Sequence, residues 1–548
     1  MKVFEPKILT TLKGYSAKKL TSDFIAGIIV AIIALPLSIA LAIASGVSPE
    51  QGLYTAIVAG FVIALFGGSR VNISGPTAAF ATIVAGIVAQ HGTSGLVIAT
   101  IMAGIMHIVM GLCKFGVLIK YIPYTITTGF TSGIALTILI GQIKDFLGLT
   151  FPDGTHAVET MEKLEAVISS IATFNFQSAL VGIIALAILI VWPKVSKKIP
   201  GSLIAVIVGS LIVKLGGMNV NTIGDLYDIS ASLPKFALPE LSFGAVKNLI
   251  SPAFTIAILA GIESLLSCVV SDGMINDKHN SNTELIAQGL GNICSGLFGG
   301  IPATGAIART AANVKNGGRS PIAGIVHALV LLLILVVLMP YAKLIPMPVI
   351  AAILFMVAYN MSEWREFVEI CKTAPKSDTA VLILTFVLTV VFDLVVAIEI
   401  GMILAAILFI KRMADVTRIR PWTTDVERVE TDGGRLKRIP HKTQVFEIDG
   451  PMFFANTDKV SAIDLKDDIK VIILRMRSVT AIDVTALKAI TEVYEHCKAK
   501  NIDVIFSHVN KQPMNAMKKA GFYDLVGEKF FAKNIDHALS LAKEYQDK

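Results

Sequence analysis

Charge is scarce in this chain and unevenly placed. Asp, Glu, Lys and Arg make up 16% of its 548 residues, where a soluble chain carries about a quarter. Of the first 413 residues only 47 are charged, against 42 of the last 135. That excludes an ordinary soluble enzyme and implies a membrane part followed by a soluble part. Cysteine is sparse too. Cys113, Cys268, Cys294, Cys371 and Cys497 stand far apart with no C-x-x-C spacing, which excludes a disulfide framework and a cysteine-rich metal site. Lone cysteines in apolar runs read as small packing residues. No basic stripe interleaved with aromatics is present, so the net charge of +7 does not point to nucleic acid. With no nucleophile–base constellation and no phosphate-cradling loop, neither an enzyme nor a bound cofactor is expected.

What the sequence does have is long apolar runs. Phe24–Ala44 holds 21 residues without a charge, enough to span a bilayer. Further runs continue to Leu394–Ile410, several of them short or broken by Gly and Pro, and about 12 to 14 crossings follow. Five Lys precede the first run and Lys411 and Arg412 follow the last. The excess of cations on cytoplasmic loops then puts both ends in the cytoplasm of the inner (plasma) membrane, with an even number of crossings. The polar Met1–Asp23 reads as a cytoplasmic segment rather than a cleaved signal. Residues 24–413 read as the transmembrane domain and 414–440 as a charged linker. From 441 to 548 short apolar runs alternate with amphipathic helices: strands over Thr443–Asp449, Val471–Met476 and Asn501–Ser507, helices over Val484–Lys500, Gln512–Ala520 and Ile535–Tyr545. That alternation implies a small α/β domain.

One internal echo stands out. Phe66-Gly67-Gly68 opens a polar stretch running through Ser74-Gly75-Pro76-Thr77, and Phe298-Gly299-Gly300 opens another through Thr304-Gly305-Ala306. Interrupted segments in matching halves point to a transporter site made by two inverted repeats. Short helices starting near Pro76 and Gly305 would aim unpaired N–H groups and positive dipole ends at the bilayer midplane, which favours an anion. Small residues (Ser74, Gly75, Ala306, Ala308) would let a ligand approach the backbone. The bland alternative is that the glycines only permit close helix packing. Arg309, one turn into the second short helix, would strengthen the field on an anion, or would form a fixed ion pair with Glu263. Glu263 is the one charge between Pro252 and Asp272. Burial disfavours its charge and a nearby Arg favours it, so an arriving anion could tip it towards taking up a proton. Sodium held by Glu263 with Thr310 is the weaker alternative. His107 and His327 read as packed histidines, Asp277-Lys278-His279-Asn280 as a loop, and Asp393 and Glu399 as charges at a tight hairpin.

These residues resemble the sulfate permease (SulP) family, relatives of solute carrier family 26. The resemblance is carried by Leu35-Pro36-Leu37-Ser38 through Leu41-Ala42, Gly52-Leu53-Tyr54-Thr55, Gly67 to Thr77, Glu284 to Asn292 and the Arg309 segment. It implies fourteen helices in two inverted seven-helix repeats, a core domain against a gate domain, a cytoplasmic STAS domain and a homodimer. It places the substrate site at Gly75, Pro76, Thr77, Ala78, Ala306, Ile307, Ala308 and Arg309, with Leu37 and Leu41 nearby. Many family members carry Gln where this chain has Leu37, so one polar contact is missing. Within the family, Ile262 to Leu266, Ala306 to Val314 and Tyr359 to Glu363 are similar to DauA-type transporters of four-carbon dicarboxylates. The sodium-dependent bicarbonate branch typically has Asp at position 263 and no Arg at 309.

The expected activity is therefore proton-coupled uptake of a small oxyanion, a dicarboxylate or sulfate, with Glu263 as proton carrier. A sodium-dependent bicarbonate transporter, or an uncoupled exchanger or channel, is the alternative; a nucleobase permease is disfavoured by Arg309 and the STAS domain. In that domain Ala481 to Leu487 occupies the place of a loop phosphorylated in related proteins, with Ala486 in place of the usual Gly. Docking of a cytosolic partner is the expectation there.

Overall fold

In the computed structural model the described residues are all except 1–3, 118–122, 153–156, 158, 197–198, 230–231, 240–242, 393, 423–438, 466–467 and 547–548. Two compact units emerge, Met1–Met402 and Ile403–Lys548.

The first unit is helical. Its long elements are α1 (Ala17–Ala44), α2 (Pro49–Phe66), α3 (Ala81–Leu112), α4 (Tyr124–Leu147), α5 (Phe176–Val195), α6 (Gly201–Gly216), α7 (Phe243–Ile275), α8 (Ser281–Leu297), α9 (Ile307–Lys315), α10 (Ile322–Ala342), α11 (Met347–Met361), α12 (Trp364–Thr373), α13 (Lys376–Val391) and α14 (Leu394–Val416), which runs on into the second unit. Eight helical stretches among the described residues are long and apolar enough to cross a membrane. The caps are those the sequence provides. Ser48 precedes Pro49 and exchanges bonds with Gln51 at the start of α2, and the Asn280 side chain accepts from Thr283 N at the start of α8, each satisfying N–H groups a helix start leaves open. Within α3, Gly92 takes φ 67°, ψ −177°, a conformation only glycine adopts readily, and the helix breaks there into two pieces. Counting α3 as two and leaving out the amphipathic α12 gives seven helices up to α6 and seven from α7, which fits the expected fourteen.

Packing sorts these helices into two bundles. In one, α8 and α7 pack on α3, α10 packs on α1 and α2, and α9 lies against α7 and α1; in the other, α4 packs on α11 and α13, and α11 on α5. α1 touches the second bundle at α11 and α6. This fits the division into core and gate that the resemblance implies.

At the centre of the first bundle a pair of two-residue strands, β1 (Ser74–Gly75) and β2 (Thr304–Gly305), run antiparallel. Ser74 faces Gly305 and Gly75 faces Thr304, so a Ser-Gly and a Thr-Gly step exchange places about a local two-fold. Inverted repeats meeting at their interface produce this arrangement.

The second unit holds a five-stranded sheet in the order β3 (Arg418–Pro421), β4 (Thr443–Asp449), β5 (Val471–Ser478), β6 (Asp503–Ser507), β7 (Phe531–Ala532). Only the β3–β4 pair is antiparallel. Alternate side chains of β5 go to opposite faces: Ile472, Leu474 and Met476 join one core with Ile490 and Met517, while Val471 and Ile473 join the other with Ala538 and Ala542. Differences from the sequence reading appear. Asn501 and Ile502 lie outside the third expected strand, and Arg418–Pro421, expected in the linker, is an edge strand that a four-residue Arg-Ile-Arg-Pro run does not advertise. The Asp432-Gly433-Gly434 part of the linker and Asp393 of the expected hairpin lie outside the described residues.

Candidate functional site

Residues 71–80 are all buried, and the elements around them supply polar partners for a backbone that could not otherwise lie inside a bilayer. One face of α7 does much of this. Ala260, Ser264 and Ser267 recur at the helical period. Ala260 O accepts from Thr304 Oγ1 at 3.0 Å, Ser264 Oγ lies 2.7 Å from Thr304 Oγ1 and accepts from Gly305 N at 2.9 Å, and Ser267 Oγ donates to Asn72 Oδ1 at 2.8 Å. Asn72 Oδ1 also takes the Thr310 hydroxyl at 3.0 Å, and that hydroxyl accepts from Ile73 N at 3.0 Å.

α8 holds the approach loop from the other side. The buried Glu284 accepts from Gly68 N at 2.9 Å, Ser69 N at 3.2 Å, Asn72 Nδ2 at 2.8 Å and Gln288 Nε2 at 3.0 Å. Asn292, one turn further along, accepts from Ala303 N at 2.8 Å and donates to Ala303 O at 2.9 Å. Ser267 went unrecognised in the sequence, and Asn72 and Ser264 entered it only inside the stretches that carry the echo and the resemblance, as did Glu284, Gln288 and Asn292. Their spacing of four marks one polar helix face and was legible.

The two short helices begin as expected. Thr77 precedes a single 3-10 turn, Ala78–Phe80, that leads into α3, and Ala306 precedes α9. Pro76 is not the first helical residue; its carbonyl accepts a hydrogen bond from Arg309 Nη2. Arg309 is 3% exposed, and its Nη1 has no hydrogen-bond partner among the described residues. That nitrogen lies against Gly75, so close that a Cβ there would push the guanidinium out of its present place. Glu263 Oε2 accepts from Thr77 Oγ1 at 2.9 Å.

The fixed ion pair between Arg309 and Glu263 does not form: no N···O distance between them falls within 4.0 Å among the described residues. Each reaches instead to a different atom of the Pro76–Thr77 step, close enough for their charges to attract. Thr310, considered beside Glu263 as a sodium ligand, spends its hydroxyl on Asn72 and Ile73. Gly75, Pro76, Thr77, Ala78, Ala306 and Arg309 are buried together, while Ile307 and Ala308 are exposed at the start of α9. Leu41 is buried and Leu37 half-buried on α1, the helix that packs against α9. His107 Nε2 donates to Ala257 O at 2.6 Å, whereas the equally buried His327 has, among the described residues, a partner for neither ring nitrogen. Asp277 lies in a loop, 3.2 Å from Lys7 Nζ and 2.9 Å from Arg70 Nε.

Comparison with known proteins bears on what this arrangement does. The sulfate permease family matches residues 20–385 and the STAS domain residues 436–538. YvdB of Bacillus subtilis, which carries the name of a sulfate transporter, is 40% identical over 96% of this chain and 98% of its own. The bicarbonate transporter BicA of a Picosynechococcus strain is 31% identical over 93% of this chain and 92% of its own. Among solved structures, the murine solute carrier 26 member A9 anion transporter shares the fold with a TM-score of 0.89 at 18% identity, covering 98% of this chain and 94% of that one. The transmembrane domain of BicA gives 0.62 at 30% identity over 72% of this chain and 98% of that one.

Proposed function

The chain belongs to the sulfate permease family and carries a STAS domain, and from that premise we propose that this membrane anion transporter takes up a small oxyanion, sulfate or a four-carbon dicarboxylate, together with a proton. The observation that carries the reading is the free Nη1 of Arg309, buried between two helix starts. A desolvated guanidinium nitrogen without a partner costs on the order of 1–3 kcal/mol unless something bonds it. Two helix N-termini add positive field at the same place. An oxyanion answers both, and Arg309 offers it a planar donor while Nη2 stays on Pro76. The sulfate transporter name of YvdB supports the sulfate arm. The dicarboxylate arm rests on the resemblance of the Glu263 and Arg309 segments.

Coupling to a proton follows from where Glu263 sits. Its carboxylate is bonded to Thr77, the residue that opens the first short helix, so it occupies the same positive field the substrate needs. An anion entering that field competes with the carboxylate charge, and protonating Glu263 removes the competition. Movement of the core bundle against the gate bundle would then carry anion and proton across together. Both termini in the cytoplasm of the inner membrane and a homodimer belong to this reading.

Uptake of labelled sulfate, fumarate and bicarbonate into proteoliposomes, each under an imposed proton or sodium gradient, tests it. Proton-driven uptake of sulfate or fumarate is expected, and Glu263→Gln should flatten its pH dependence. A Glu263→Gln protein that keeps the full pH profile removes the proton role. The likeness to BicA supports one second reading, sodium-driven bicarbonate uptake, and that outcome would replace the first.

A further inference from the structure

A second charged cavity lies away from the transport site, where α11 gives way to α12. The junction is held on α4 by a hydrogen bond from Ser132 Oγ to Ser362 O at 2.6 Å. Over it lies an open cavity of about 400 Å³, walled by Tyr124, Tyr359, Glu363, Trp364, Arg365 and Glu366. Tyr124, Tyr359 and Trp364 are 58%, 52% and 48% exposed. Aromatic rings gathered at the end of spanning helices mark the level of lipid headgroups. α12 joins two membrane helices and reads Trp-Arg-Glu-Phe-Val-Glu-Ile-Cys-Lys-Thr. Its apolar positions at Trp364, Phe367, Val368 and Cys371 fall on one face, the pattern of a helix lying in the interface.

The charges in this cavity are unspent. Two carboxylates and a guanidinium are contributed within four residues, yet no ion pair within 4.0 Å joins Arg365 to Glu363 or Glu366 among the described residues. The Arg365 guanidinium rests instead over the Trp364 ring, 5.4 Å from its centroid. One cation and two anions held apart beside exposed rings suit a ligand that itself carries a phosphate and an amine.

We propose that this cavity binds a phosphoethanolamine group. Its ammonium would lie between Glu363 and Glu366 against the rings of Tyr124 and Tyr359, and its phosphate on Arg365. A headgroup with only a phosphate would meet two carboxylates, and that repulsion selects against it. A choline has no N–H to donate, so it forgoes the charge-assisted bonds to the carboxylates. The group could arrive on a membrane lipid or on a soluble ester, and the chemistry is the same.

Native mass spectrometry of the full chain in detergent separates these cases, using phosphatidylethanolamine, phosphatidylcholine and phosphatidylglycerol of identical acyl chains, and free O-phosphoethanolamine. Retention of the ethanolamine lipid about tenfold above the other two is expected, the low end of what one hydrogen bond to a charged group is worth. Glu363→Gln with Glu366→Gln should abolish that preference. Glu366→Gln alone should weaken it in a protein whose melting temperature matches the parent, which covers failure of the double variant to fold. Retention of free O-phosphoethanolamine, lost in the same variants, keeps the site and makes its ligand a soluble ester. Equal retention of the three lipids without capture of O-phosphoethanolamine, or a preference unchanged by both variants, overturns the proposal.

Discussion

Arg309 divides its guanidinium between two tasks, and the division separates it from lysine. Nη2 fixes the Pro76 carbonyl while Nη1 stays free. A lysine has one nitrogen on a flexible stem and cannot present the planar fork. Arg309→Lys should therefore keep the protein in the membrane and lower uptake about ten- to a hundredfold, the worth of one hydrogen bond to a charged group. Uptake within twofold of the parent would show that charge alone suffices. Cys497 lies at the other extreme of reactivity. Burial pushes its thiol up to about 11, so at pH 7.5 it is neutral and enclosed. Native protein should leave Cys497 unlabelled by a maleimide that modifies it fully in denaturant, as read by peptide mass spectrometry. Because the folded-state value is the raised one, the neutral thiol favours folding below its ordinary value of about 8.5. That contribution fades as the pH climbs through 11.

At the scale of elements, what fixes the site is less the strands than the helices behind them. β1 and β2 have two residues each, far too few to hold their own geometry. α7 grips β2 and Asn72 through Ser264 and Ser267, and α8 grips the loop before β1 through Glu284. Replacing Glu284 with Ala would strand the Gly68 and Ser69 amides and the Asn72 side chain without their acceptor, while Gln288 keeps its bond to Ser74 Oγ. A loss of on the order of 3 kcal/mol is expected, since each orphaned buried donor costs about 1–3 kcal/mol and relaxation recovers part. The melting temperature of the purified protein should fall by several degrees. An unchanged value would mean that water replaces the carboxylate.

For the molecule as a whole, charge density and hydropathy decided a great deal unaided. They separated a membrane part from a soluble one, because a bilayer tolerates few charges whatever the fold. The Phe-Gly-Gly echo located both short helices for a like reason: glycine and proline break helices by their own backbone restrictions, before any neighbour acts. Glu263 and Arg309 were visible because a charge in an apolar run is conspicuous. Their partners were not. The echo is spaced by 232 residues at Phe66 and Phe298, but the second loop is two residues shorter, so the equivalent Ser74-Gly75 and Thr304-Gly305 steps stand 230 apart, and they pair antiparallel with Gly75 facing Thr304. That antiparallel register, the reach of Arg309 to Pro76 and of Glu263 to Thr77, and the absence of a direct ion pair are long-range facts. So is the meeting of Tyr124 with Glu363 across more than two hundred residues of chain. Which helix was apolar, where it broke and which charge it buried were written locally in residue chemistry. Which atom each buried charge bonds depended on helices brought together from distant parts of the chain, and tertiary packing alone decided it.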